Sequence, residues 1–285
     1  MNTVFIIFQY LVPQHLLSRL AGKVADCEWP WLKNLFINWF IDRYQVNMDE
    51  AADPEPTNYA SFNAFFTRQL EAGARPIVAE GNAIASPADG AISQLGTIEN
   101  GRIFQAKGQN YTLTELLGGD EAIAAPFQDG KFATVYLSPK DYHRVHMPIT
   151  GTLKTMIYVP GDLFSVNTVT AENVPRLFAR NERAVCIFDT EIGPMAVVLV
   201  GAMIVAGIET VWAGQVAPIK RSINTQHYFD QELSISLQKG DEMGRFKLGS
   251  TAIVLFGKGV MEWSQQLDAA SPTVMGELLG QMTTG

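Results

Sequence analysis

Two stretches of this 285-residue chain carry side chains that could do covalent or proton-transfer chemistry. In GRFKLGSTAIVLF (244–256), a Gly249-Ser250 bond stands directly before an apolar run. Glycine has no Cβ to hinder approach to its carbonyl and tolerates unusual dihedrals. Ser250 Oγ could therefore attack the Gly249 carbonyl and shift the chain from amide to ester, given a base for its proton and donors for the oxyanion. Taken alone, a Gly-Ser-Thr tripeptide before a strand reads first as a turn.

The other stretch is SPKDYHRVHMP (138–148), which holds two of the four histidines, His143 and His146. As a metal site the pair would supply two ligands, but Pro139 and Pro148 bracket it closely and no cysteine or further histidine stands near, so no metal is expected. The pair is either structural or a source of acid–base catalysis, since imidazole titrates near neutrality. A dinucleotide fingerprint, a Walker loop, HExxH and GxSxG are all absent from the sequence.

The elements that must position these residues divide the chain in two. Up to about residue 75 the pattern is helical. An apolar run from Val4 to Val12 is stopped by Pro13, and Leu16, Leu17, Leu20 and Val24 then follow at the spacing of one helical face. After Pro30, Leu32, Leu35, Phe36, Trp39, Phe40 and Tyr44 fall on one side, with Lys33, Asn34, Asn38 and Asp42 on much of the other. Such aromatic, amphipathic stretches suit a water–lipid boundary, or equally a helix packed on the protein's own core. The first run is too short to span a bilayer, which takes about 20 apolar residues, and it has neither the basic start nor the cleavage site of a signal peptide.

DEAADPEPTN (49–58) reads as a linker, and Phe62, Phe65, Phe66 and Leu70 carry a short helix after it. From Pro76 the character changes to short β-type runs, among them 132–137, 153–159, 184–188, 195–205 and 252–256. Turn signals at Asp89-Gly90, Asp129-Gly130 and Gly161-Asp162 separate them. The expected fold class is α+β: a helical, membrane-associating segment (1–75) on a mostly antiparallel, β-rich catalytic domain (76–285).

Composition narrows the function. A formal charge of −8 without any basic run argues against nucleic-acid binding. Residues 1–45 hold four basic and three acidic side chains, so the acidity lies in the remainder, and the N-terminal segment is the part that anionic lipid would not repel. Cys27 and Cys186 stand in unlike settings, which argues against a disulfide framework and for a reducing compartment.

Six stretches, in order, resemble those of phosphatidylserine decarboxylases: FNAFFTR (62–68), SPADG (86–90), YHRVH (142–146), PGDLFSV (160–166), NVPRLFARNER (173–183) and LGST (248–251). The resemblance implies self-processing by Ser250, His146 and Asp89. His146 would deprotonate Ser250 Oγ, and Asp89 would orient the imidazole, in the manner of a protease triad. Cleavage between Gly249 and Ser250 would leave chains 1–249 and 250–285, the smaller one beginning with a pyruvoyl group derived from Ser250. That group is the implied cofactor, forming a Schiff base with the serine amine of phosphatidylserine and taking up charge as CO2 leaves to give phosphatidylethanolamine. His143 is the implied general acid, although spacing alone would allow the two histidines to exchange roles. The resemblance also implies a homodimer of processed protomers and peripheral attachment to the cytoplasmic face of the inner membrane. Three rivals are a pyruvoyl decarboxylase for a soluble amino acid, an uncut membrane adaptor, and a serine hydrolase with a free Ser250.

Overall fold

The computed structural model describes residues 2–203, 207–218, 222–229 and 234–283. Three helices open the chain: α1 (Asn2–Leu11), α2 (Gln14–Ala25) and α3 (Pro30–Tyr44). Pro13 separates the first two, which meet at 87°. Among the described residues no single helix is long and apolar enough to cross a membrane. A short α4 (Phe62–Phe66) follows the linker, with the Ser61 side chain accepting from the Ala64 N–H as its N-cap.

The rest is mainly antiparallel sheet. The largest, of nine strands, runs in the order Asn224–His227, Gly151–Val159, Arg183–Thr190, Gly193–Val200, Ser250–Phe256, Lys131–Leu137, Gly90–Thr97, Pro272–Thr273, with Ser236–Leu237 also paired to Gly151–Val159. Ser250–Phe256 is therefore central, bonded to Lys131–Leu137 on one side and Gly193–Val200 on the other. Its continuous apolar sequence follows from burial on both faces. Ala252, Val254 and Phe256 enter one core with Val135, Leu137 and Leu199, while Ile253 and Leu255 enter another with Phe132, Val198 and Val200. A four-stranded sheet, Gly214–Ala217, Gly207–Thr210, Glu242–Lys247, Arg144–His146, carries the histidine segment. The α+β architecture anticipated from the periodicities is the one observed.

Two elements depart from their sequence reading. The expected 195–205 strand ends at Val200, and residues 204–206 lie outside the described residues. The apolar side of α3 is split: Phe36 stacks on Phe62 at 4.2 Å and Phe40 is buried, but Leu35 and Trp39 face outward, and Lys33 and Ile37 point in.

α1 and α2 turn outward the apolar faces that the sequence left open between lipid and core. α2 buries its small residues Ser18, Gly22 and Ala25 and exposes Leu16, Leu20 and Val24. In α1, Gln9 is 1% exposed while Val4 and Leu11 are 73% and 77% exposed. Polar bonds explain the inward faces. Gln9 Oε1 accepts from Ser165 N (2.9 Å), Gln14 Oε1 accepts from Leu163 N (2.6 Å), and His15 Nε2 donates to Gly161 O (2.9 Å). Glutamine docks these helices onto the 160–165 loop, and their hydrophobic side is left over.

Candidate active site

The sheet register brings the separated motifs to one end of the molecule. Ser250 stands opposite Leu137, Ala91 opposite Tyr136, and Gly90 opposite Thr273. The start of the central strand thus lies level with the turn carrying Asp89. Gly90 is required there, because its φ is +147° and an added Cβ would fall 2.1 Å from Tyr136 O. On the other side, Thr251 is opposite Val200, Val200 opposite Arg183, and Arg183 opposite Val159. The loop that receives α1 and α2 follows Val159, so the helices dock at this same end.

Glu242–Lys247 pairs with the histidine strand and then turns through Leu248 and Gly249 into Ser250. Both turn residues are left-handed, with φ of 74° and 59°. Nothing lies within 4 Å of a Cβ added at Gly249, so the backbone conformation, not space, calls for glycine. Leucine at positive φ is the more costly member, at about 1–3 kcal/mol for such strain. Ser250 is fully buried, and its Oγ has no hydrogen-bond partner among the described residues. Buried hydroxyls are ordinarily satisfied, so this one stands free for reaction beside a strained peptide.

His143 is also fully buried, stacked on Phe66 at 4.0 Å. Its Nε2 lies 3.0 Å from Ser138 O, one residue beyond the Leu137 that faces Ser250. A carbonyl only accepts, so Nε2 carries the proton and Nδ1, which has no partner among the described residues, presents a bare lone pair. Burial, reinforced by the charge of Arg68, pushes its pKa down to about 3, so the ring is neutral.

His146 has the opposite tautomer. Nδ1 donates to Gly240 O (2.8 Å), and Nε2 accepts from the Tyr142 hydroxyl (3.1 Å). Burial lowers its pKa, against the opposing pull of the Gly240 carbonyl and the Glu242 and Asp89 charges. Its backbone N–H donates to Pro87 O at 2.8 Å, which ties it to the turn of Asp89.

Asp89 makes its hydrogen bonds elsewhere. Arg75 grips its carboxylate with Nε (3.0 and 3.1 Å) and Nη2 (2.7 Å), and Met275 N donates to Oδ1 at 2.8 Å. Arg75 Nη2 also meets Glu50 at 2.8 Å. The expected direct bond from Asp89 to the imidazole is therefore not what holds His146; the Gly240 carbonyl takes that position.

Arg75, Met275 and Gly240 had no part in the sequence reading, and Tyr142 entered it only as a letter of a motif. A main-chain carbonyl or amide leaves no residue-type signature, and Arg75 stands between two of the resembling stretches, 62–68 and 86–90, without belonging to either. Arg75→Ala would leave a buried carboxylate with its Met275 bond alone, costing about 3 kcal/mol. Thermal unfolding should fall by several degrees; a loss below one degree would show that the amide suffices.

The family model described as phosphatidylserine decarboxylase matches residues 62–281, and a second, described as PSD, matches residues 4–45. A protein of Pseudomonas putida (strain W619) named phosphatidylserine decarboxylase proenzyme is 66% identical over 279 residues, covering 98% of this chain and 97% of the relative. One of the same name from Stutzerimonas stutzeri (strain A1501) is 64% identical over 281 residues, covering 98% and 95%. The chain belongs to the phosphatidylserine decarboxylase family. The family match spans all four predicted site residues, the Gly249-Ser250 junction, and Arg75 and Tyr142 as well.

Proposed function

We propose that this chain is a proenzyme that cuts itself between Gly249 and Ser250 and then decarboxylates phosphatidylserine to phosphatidylethanolamine. The observation that carries the reading is the buried, unpartnered Ser250 Oγ behind the left-handed Leu248-Gly249 turn. In the first step Oγ bonds to the Gly249 carbonyl carbon, His146 takes the hydroxyl proton, and the peptide C–N bond breaks to give an ester. Loss of the Ser250 α-proton then expels Gly249 as a carboxylate, and the dehydroalanine left behind hydrolyses to a pyruvoyl group and ammonia. Asp89 favours the imidazolium formed in the first step by charge.

The residues around Ser250 fit such a group. Ser250 opens a central strand bonded on both sides, so chain 250–285 would stay lodged after the cut, with Met275 N held by Asp89 of chain 1–249. The pyruvoyl group supplies an electron sink for the carbanion that CO2 leaves behind. His143, whose Nδ1 has no partner among the described residues, is the residue assigned to return a proton to Cα after decarboxylation.

A lowered His146 pKa has a measurable consequence. The base must be neutral to take the Ser250 proton, and ordinary imidazole becomes charged below about 6.5. Self-cleavage of freshly translated chain should hold its rate from pH 8 down to about 6.5 and decline only in more acidic buffer. A midpoint above the ordinary imidazole value would remove His146 from the role.

A lipid substrate calls for a site that meets a membrane. Support comes from α1 and α2, which dock at the Ser250 end with Val4, Ile7, Phe8, Leu11, Leu16 and Leu20 outward. Soluble proteins rarely leave so large an apolar surface bare, and a soluble amino-acid substrate would give it no use. The cytoplasmic leaflet and the homodimer rest on the family resemblance. The experiment that tests the whole reading is intact mass analysis of purified protein with a vesicle assay for phosphatidylethanolamine. One uncut, inactive chain would overturn it.

A further inference from the structure

Outside the Ser250 centre, an open cavity of about 410 Å³ lies between α4, the linker before it and the two strands that carry Arg144 and Arg245. Three arginines line it: Arg68, Arg144 and Arg245. Arg144 and Arg245 share one carboxylate, Glu242, each at 2.7 Å. The lining carboxylate of Asp53 is committed to its own turn, accepting from Glu55 N and Asn58 Nδ2.

Arg68 is the anomaly. It is 5% exposed, and it forms no ion pair among the described residues. Its Nε is buried without a partner, one Nη makes only a 3.5 Å contact with Lys140 O, and its guanidinium lies 5.5 Å from the Phe65 ring centroid. A buried, uncompensated charge is costly and is normally paired. Burial lowers the pKa of Arg68 accordingly, although not enough to discharge a guanidinium at neutral pH.

We infer that this cavity is an oxyanion site that binds a phosphoryl group through Arg68 and Arg245, with Arg144 completing the positive wall. Guanidinium forks match phosphate oxygens bidentately, and a tetrahedral anion offers oxygens to arginines arriving from different directions. A carboxylate destined to leave as CO2 is the poorer fit, because arginines around it would stabilise the ground state and slow its loss. The phosphoryl group could belong to a lipid head group or to free phosphate.

The test is titration calorimetry on the purified full-length protein with inorganic phosphate, at constant ionic strength set by chloride. Saturable binding of one phosphate per chain is expected. Arg68→Gln should weaken it about tenfold or more, the worth of one charged hydrogen bond. Arg245→Gln, whose side chain is partly exposed and so less able to disturb folding, should act in the same direction. Displacement of phosphate by water-soluble dihexanoyl phosphatidate would identify a lipid head group as the occupant; saturable phosphate binding without displacement would identify the free anion. No saturable binding of either probe, or equal binding by wild type and the Arg245 variant, would overturn the assignment. The readout is binding alone, so it stands or falls apart from the decarboxylase reading.

Discussion

Ser250→Ala should remain one continuous polypeptide of 285 residues, without decarboxylase activity, where the native sequence should yield chains 1–249 and 250–285. The variant is unusually clean. Among the described residues Ser250 Oγ has no hydrogen-bond partner, and it is buried, so its deletion strands none of them and should leave stability unchanged or slightly raised. Failure to cut would then report lost chemistry and not a lost fold. Denaturing electrophoresis and intact mass decide it, and a divided Ser250→Ala chain would end the proposal. The histidines extend the test. His146→Ala should slow cleavage by roughly 10²–10⁴, the usual contribution of a positioned general base, whereas His143→Ala should cut yet fail to decarboxylate. The reverse pattern would hand the base role to His143, whose bare Nδ1 and anchor on Ser138 make it the structurally ready alternative.

The fold class was legible because both periodicities are strong: i, i+3, i+4 spacing before residue 45, and apolar runs after residue 130 that only a strand covered on both faces could carry. Gly249-Ser250 by itself reads as a turn; it was the six resembling stretches in order, not the pair, that singled it out. Periodicity could not say which side of a helix faces inward. It finds an apolar stripe and leaves lipid and core as equal claimants; α1 and α2 are held by Gln9, Gln14 and His15, with small residues against the protein. The triad logic likewise placed a carboxylate on His146. The sequence contains no trace that Gly240 O would take Nδ1, or that Arg75 would claim Asp89, since both depend on backbone and side chains brought together by the sheet. Tyr142 stood in plain view, but a tyrosine four residues before a histidine has no fixed meaning until the strand geometry aims its hydroxyl at Nε2.

The outward apolar faces of α1 and α2 lead to the second large effect. Replacing Ile7, Leu11 and Leu20 together by glutamate should lower partitioning onto phospholipid vesicles by about 10³-fold or more. Each side chain contributes on the order of 1.5–3 kcal/mol when fully removed from water, every 1.4 kcal/mol is tenfold, and the introduced charges oppose any anionic surface. All three residues are exposed, so the core loses nothing, and the bonds from Gln9, Gln14 and His15 that dock the helices remain. Self-cleavage should therefore proceed normally. Activity should divide by substrate: turnover of water-soluble dihexanoyl phosphatidylserine is retained, while turnover of phosphatidylserine in vesicles falls with binding. Equal loss on both substrates would mean that the helices shape the site instead of delivering it to the membrane, and unchanged vesicle binding would leave their exposed apolar faces without a role in lipid attachment.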